Sequence, residues 1–340
     1  MQNRILGRTG VSVSPLCLGT MMFGPWGNAD ETDSIRIIHR ALDAGINFVD
    51  TADVYSAGES ERIVGKALTG RRDDVMLATK FFMPMGDEPN HRGGSRRWIM
   101  RSVEDSLRRL GTDYIDLYQV HRPSRDTDVE ETLGALTDLV RQGKVRYIGS
   151  SSFAASQIVE AQWAARDRRL ERFVTEQPPY SIMVRGIEAD VLPTAHRHGM
   201  GVLTYSPLGG GWLSGRWRKD NAGTPTSASR PKARFDMTTG ANQRKLEIVE
   251  NLAQLAEQAG LTLIDLAIAF VINHPAVTAA IIGPRTMQQL ESQLTGAEVT
   301  LSTDILDRLD ELVAPGVTVN PDDNSYGEAE LTPAARRRNR

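Results

Sequence analysis

Eight short apolar runs recur along the chain, each stopping at a glycine or a polar residue, with a helix-length segment or longer between most of them. They are Leu16 to Thr20, Ile46 to Val49, Val75 to Thr79, Ile115 to Val120, Val145 to Gly149, Phe173 to Glu176, Gly201 to Thr204 and Ala279 to Gly283. Strands joined by helical crossovers run parallel, so the pattern predicts a parallel sheet with helices outside it. Helical periodicity is expected from Asp30 or Thr32 with Ile35, Ile38 and Leu42 on one face, and from a Ser95 cap through Ile99, Val103, Leu107 and Leu110 to Gly111. Gly7-Arg8-Thr9-Gly10 between Arg4–Leu6 and Val11–Val13 reads as a hairpin that caps one end. Residues 212–240 are polar, basic and rich in Gly, Pro and Ser, an insertion without core periodicity, and Thr303 to Val313 is an extra C-terminal helix. The expected architecture is one α/β domain over 1–320, a (β/α)8 TIM barrel, followed by a flexible tail over 321–340. An open doubly wound sheet is the competing arrangement. Its dinucleotide fingerprint, Gly-x-Gly-x-x-Gly after the first strand, is absent.

Three successive runs end in proton-active side chains. Asp50 closes the second run and Tyr55 follows in a polar loop, Lys80 closes the third, and His121 follows the fourth. The C-terminal ends of barrel strands converge on one face, so these four are expected together. A tyrosine has a reference pKa of about 10, and a nearby cation makes its proton easier to donate. Lys80 can supply that charge, Asp50 can hold the ammonium, and His121 can donate to an oxygen that gains charge. Each residue also has a plainer reading: a surface tyrosine, a loop-capping aspartate, a structural ion pair and a strand-end histidine. A Schiff-base aldolase with Lys80 as nucleophile is a second chemistry for the same set.

A formal charge of -3 gives no electrostatic case for nucleic acid or an anionic membrane. Six lysines stand against 34 arginines, so a lysine ending an apolar strand is less readily a chance surface residue. The single cysteine, Cys17, excludes an intramolecular disulfide and reads as a small buried hydrophobe. No metal site is expected. The first residues do not resemble a signal peptide and no apolar run reaches about 18 residues, so a cytoplasmic protein is expected. A homo-oligomer is compatible with the sequence.

The chain resembles the aldo-keto reductase family. The likeness covers residues 3–313 and rests on Gly19-Thr20 with Phe23-Gly24, Asp50-Thr51-Ala52 with Tyr55, Gly58-Glu59-Ser60-Glu61, Thr79-Lys80, Asp113 to Leu117 with His121, Gly143 to Gly149, Glu176-Gln177 with Tyr180-Ser181, and Tyr205 to Leu208. It implies a barrel that binds NADPH without a Rossmann fold and reduces an aldehyde or ketone, with Tyr55 as general acid, Asp50 and Lys80 as its tuning pair and His121 orienting the carbonyl. For the cofactor it implies Gly19, Thr20, Met21 and Asp50. Ser151 and Gln177 fall at the carboxamide and Tyr205 on the nicotinamide ring, and Ser152 is a further cofactor-binding candidate. Ser206, Pro207, Leu208, Gly210 and Ser214 fall over the pyrophosphate, with Arg230 at a phosphate, and Gly283, Arg285, Gln289 and Gln293 fall around the adenosine and 2′-phosphate. Ser152 and Gln293 stand where the family often has Asn. Trp26, Phe82, Trp212 and Met85 are candidates for a pocket that takes a small-molecule carbonyl substrate. The Gly-Thr-Met-Met-Phe-Gly start, Gly19 to Gly24, resembles a bacterial aryl-alcohol dehydrogenase-like branch and potassium-channel β subunits. A β-subunit-like scaffold that binds NADPH with little turnover is therefore the alternative function.

Overall fold

The computed structural model describes residues 1–219, 221–222, 232–325 and 336–337. Eight parallel strands close into a barrel: β3 (Leu16–Gly19), β4 (Phe48–Asp50), β5 (Met76–Phe81), β6 (Ile115–Val120), β7 (Val145–Ser151), β8 (Thr175–Gln177), β9 (Gly201–Tyr205) and β12 (Ala279–Ile282), which pairs back onto β3. All eight lie at the predicted runs. Successive side chains on a strand point to opposite faces, so each strand sorts its residues by parity. Cys17, Phe48, Ala78, Leu117, Leu203 and Ile281 form an inner apolar cluster, while their neighbours Leu16, Leu18, Val49, Leu77, Tyr118, Val202 and Ile282 face outward. The next residues of inner parity are Gly19, Asp50, Lys80, Gln119, Tyr205 and Gly283, one layer nearer the C-terminal face. Close packing at this layer requires small residues: a Cβ on Gly19 would lie 2.6 Å from Ile281 Cγ2, and one on Gly149 would collide with the Thr175 hydroxyl.

Outside the barrel stand α1 (Glu31–Asp43), α2 (Glu59–Ala67), α3 (Arg96–Leu110), α4 (Val129–Arg141), α5 (Ala155–Arg168) and α6 (Val191–Arg197), then α7 (Gly240–Gln258), α8 (Leu263–Asn273), α9 (Met287–Leu294) and α10 (Thr303–Leu312). The cap chemistry follows the sequence closely: Ser95 accepts the Trp98 amide, and Gly111 ends α3 at φ 62°. The face of α1 differs from its expected one. Ser34, Ile37, Ile38 and Ala41 are buried while Ile35 and Leu42 lie at the margin, because small Ser34 and Ala41 allow the helix to sit close.

The hairpin of β1 (Arg4–Ile5) and β2 (Ser12–Val13) caps the N-terminal end, where Leu6 and Val13 join the inner cluster. A side chain at Gly7 would meet the Gly201 amide and the Val174 carbonyl at 2.7 and 3.0 Å, which explains glycine there. One expectation is corrected at the other end. The 212–240 stretch contributes to the core: Trp212, Leu213, Trp217 and Phe235 are buried, and β10 (Trp217–Arg218) pairs with β11 (Asn221–Ala222). The described start of the tail makes three contacts: Asp323 sits 2.7 Å from the buried Lys245 Nζ and 3.3 Å from Arg234, and the Ser325 hydroxyl bonds Tyr205 at 2.6 Å. Residues 326–335 and 338–340 lie outside the described residues. Among those described, no single helix is long and apolar enough to cross a membrane.

Candidate active site

Asp50, Lys80 and Tyr55 meet at the C-terminal face. Lys80 Nζ donates to Asp50 Oδ1 at 2.5 Å, to the Thr51 carbonyl at 2.8 Å and to the Tyr55 hydroxyl at 3.4 Å. These three partners match the three donors of an ammonium. Lys80 is 0% and Asp50 2% exposed, so the pair is almost dry. Burial alone would lower the Lys80 pKa, but the Asp50 charge and the Tyr55 oxygen outweigh it and hold the amine above its ordinary value.

The other carboxylate oxygen of Asp50 accepts from Gln119 Nε2 and Gln177 Nε2, each at 3.0 Å. Gln119 is a member the sequence reading missed. Its signal was the spacing of two from Leu117, which puts it on the inner face of β6.

The Tyr55 phenol behaves differently from the expectation. Burial raises its pKa, Lys80 pulls it back down, Asp50 raises it, and the net result lies above the ordinary value. Lys80 thus offsets part of a desolvation cost rather than making the phenol acidic, and Tyr55 stays protonated. Directly after Tyr55 the backbone turns left-handed at two non-glycine residues, Ser56 (φ 49°) and Ala57 (φ 55°), and Gly58 follows at φ 90°. His121 packs edge-on against Tyr55 with ring centroids 5.8 Å apart. Burial first, then Lys80 and Arg122, push its pKa well below normal, so the imidazole is neutral. Its Nδ1 has no hydrogen-bond partner among the described residues.

Of the pocket candidates, Trp26 lies 6.3 Å from the Tyr55 ring and is 38% exposed, and Phe82, at φ 120°, and Met85 are half-buried. Trp212 differs from these. Its side chain is fully buried, stacked on Trp217 at 4.6 Å and Phe235 at 5.5 Å, so it has no surface to offer a substrate.

The cofactor candidates fall into three groups. Thr20 is buried and donates to the Asp50 carbonyl, beside Gly19 and a half-buried Met21. Ser151 donates to the Gln177 carbonyl at 2.9 Å, and Ser152, at φ 57°, bonds the Tyr205 hydroxyl at 3.2 Å. In the loop after Tyr205, Ser206 and Gly210 take positive φ while the amides of Gly209, Gly211, Leu213 and Ser214 bond carbonyls within the loop, which leaves fewer amides for a phosphate than expected. At the third group Gly283 is exposed with open space where a Cβ would stand, and Thr286 caps α9. Gln289 accepts the Arg285 amide at 2.8 Å, while Gln293 is buried. In the loop after Tyr205, Pro207 is buried and Leu208 half-buried, and Arg230 falls outside the described residues. Gly283, Arg285 and the N-terminus of α9 thus follow one another directly after β12.

Behind the site lies a second buried polar cluster that the sequence reading missed. Glu61 accepts from Thr79 and Arg109 at 2.6 Å each, and Asp53 accepts from Ser102 at 3.3 Å. Burial and the Glu61 charge push Asp53 up to about 8, and its Oδ1 has no partner among the described residues. Burial likewise raises Glu176 to about 8, where it holds the Ser150 hydroxyl and the Phe153 amide. No cluster of metal-ligating side chains occurs among the described residues.

Residues 15–314 match the sequence model of the aldo/keto reductase family. An uncharacterized oxidoreductase, YrpG, of Bacillus subtilis is 44% identical over 92% of this chain and 96% of its own length. A probable voltage-gated potassium channel subunit beta of Arabidopsis thaliana is 34% identical over 92% and 97% of the two chains. A putative aryl-alcohol dehydrogenase, AAD16, of Saccharomyces cerevisiae is 32% identical over 91% and 96%. With matches of this extent laid on a closed parallel barrel, the chain belongs to the aldo/keto reductase family and is an oxidoreductase of that family.

Proposed function

We propose that this oxidoreductase is an NADPH-dependent carbonyl reductase in which Tyr55 is the general acid. The observation that carries the reading is the contact of the Tyr55 hydroxyl with Lys80, an ammonium fixed in a dry site by Asp50. When bound, a reduced nicotinamide supplies a hydride to the carbonyl carbon. Tyr55 is protonated and gives its proton to the carbonyl oxygen as that oxygen gains charge. Lys80 stands 3.4 Å away and stabilises the phenolate left behind. Neutral His121 keeps one N–H, which donates to the same oxygen and sets the substrate's orientation. Asp50 takes no proton in this scheme and holds Lys80, Gln119 and Gln177 in place.

The choice of NADPH rests on Gly283, Arg285 and the N-terminus of α9, where a 2′-phosphate would meet a guanidinium and the positive end of the helix dipole. Lys80 is a poor candidate for a Schiff base, because all three of its N–H directions are used and its pKa is raised. The β-subunit relatives favour one other reading, NADPH binding with little turnover.

The test is oxidation of NADPH and NADH by the purified protein with a panel of aromatic and aliphatic aldehydes, repeated with Tyr55→Phe. NADPH turnover that falls about 10²- to 10⁴-fold in the variant, with cofactor affinity kept, is expected. Tight NADPH binding without turnover on any aldehyde favours the β-subunit reading, and full activity in Tyr55→Phe removes Tyr55 as the acid.

A further inference from the structure

The mouth of the site holds a cation that the chemistry above does not use. Arg122 directly follows His121 and is half-buried. One guanidinium nitrogen, Nη1, donates to the Ser152 hydroxyl at 2.6 Å and to the His121 carbonyl at 3.2 Å. Those two bonds are its contacts among the described residues, where no carboxylate lies within ion-pair distance. Ser152 also bonds Tyr205, the ring assigned to the nicotinamide, so the guanidinium is held between the two catalytic donors and the cofactor position.

Among the described residues its charge is not cancelled. Lys80 already takes the Asp50 charge in a closed pair. The Glu176 carboxyl, which feels Arg122, is neutral near pH 7 because burial raises it to about 8. Arg122 is also near enough to Tyr55 and His121 to pull the pKa of both down. A partly desolvated arginine with donors to spare beside His121 and Ser152 suits a planar anion, which a guanidinium can bind in a bidentate way.

On the reductase reading above, we propose that Arg122 is a specificity-determining residue that selects carbonyl substrates bearing a carboxylate. The carbonyl oxygen meets Tyr55 and His121, and the carboxylate meets the unused nitrogens of Arg122. The hydride and proton transfers are those already described, and the carboxylate takes no part in them.

The experiment compares kcat/KM for 3- and 4-carboxybenzaldehyde with their methyl esters, which keep the carbonyl and the ring but remove the charge. For wild type, the better-placed acid is expected to exceed its ester by roughly 10- to 100-fold, the size of a hydrogen bond between charged groups. In Arg122→Gln that ratio falls to about one, with the change in KM rather than kcat, and Arg122→Lys restores part of it. A wild-type ratio of one or less for both isomers overturns the proposal while leaving the reductase reading intact. So does an Arg122→Gln variant that weakens acid and ester equally, which is what a role in merely holding Ser152 and Tyr205 would give. If wild type reduces none of the four, binding replaces turnover as the readout, and the reductase reading is left to the wider aldehyde panel. Titration of wild type and Arg122→Gln with benzoate and benzamide then decides the anion site separately: binding of benzoate alone, lost in the variant, supports it, and equal binding of the two overturns it.

Discussion

Replacing Asp50 by Asn removes one charge from the driest ion pair in the site while keeping its shape. Lys80 stays fully buried and loses the one ion-pair partner it has among the described residues. The amide cannot repair the network in either orientation. Its NH₂ group faces Lys80 if placed at Oδ1, and faces the donors of Gln119 and Gln177 if placed at Oδ2. Breaking a buried pair from one side costs about 3–5 kcal/mol. Lys80 can escape by shedding its proton, which from an ordinary lysine value costs about 5 kcal/mol at pH 7 and caps the Lys80 contribution to the loss. The variant's folded state then binds fewer protons than its unfolded state, so its stability rises with pH and the deficit shrinks towards pH 10. Urea unfolding at pH 7 and pH 9.5 measures both effects. Turnover should fall at least 100-fold, because a neutral amine no longer stabilises the phenolate. A deficit under 1 kcal/mol at pH 7, or one that does not shrink at higher pH, would refute the account of Lys80 as a charge held by Asp50.

The other expectations are briefer. Asp53 is held protonated up to about pH 8, so it favours the folded state below its unfolded value near 4 and loses that contribution as pH rises towards 8. Asp53→Asn should therefore gain stability relative to wild type between pH 5 and pH 8, on the order of 1–3 kcal/mol, as read by Tm at the two pH values. Arg285→Ala should weaken NADPH about 10- to 100-fold and leave NADH nearly unchanged in fluorescence titrations. Asp323→Asn leaves the buried Lys245 ammonium without its carboxylate and should destabilise the protein by roughly 3 kcal/mol in urea unfolding.

The barrel was legible because each strand is a short apolar run whose last residues change character at one face. The four proton-active residues were legible for the same reason: strand ends fix both their direction and their height. Where the sequence misled, the cause was a contact between distant segments. The stretch from Trp212 to Phe235 has no periodicity of its own, yet three of its aromatic rings stack on one another with Lys245 over Trp212. No local pattern announces a cluster assembled that way. Gln119 was hidden because an uncharged amide in a buried strand draws no attention until Asp50 is seen to need donors. Asp53, Glu61 and Arg109 were hidden because their pairing joins the loop after β4 to α2 and α3, and the Lys245 pair because Asp323 lies 78 residues away. The net pKa of Tyr55 was misjudged because the sequence reveals a cation nearby but not how little water remains.

The left-handed turn after Tyr55 has a consequence for the timing of order in this protein. Ser56 and Ala57 occupy a conformation that non-glycine residues disfavour, at a cost of order 1–3 kcal/mol each. That cost is met once, when the chain folds, by the bonds around it: the Ala57 amide to the Val54 carbonyl and the Trp26 amide to the Ser56 hydroxyl. The backbone beside the phenol is therefore set when the chain folds. Ala57→Gly would relax the turn and make the folded protein more tolerant of heat. The same change would let the tyrosine wander, so a gain in thermal endurance here would come with a slower enzyme.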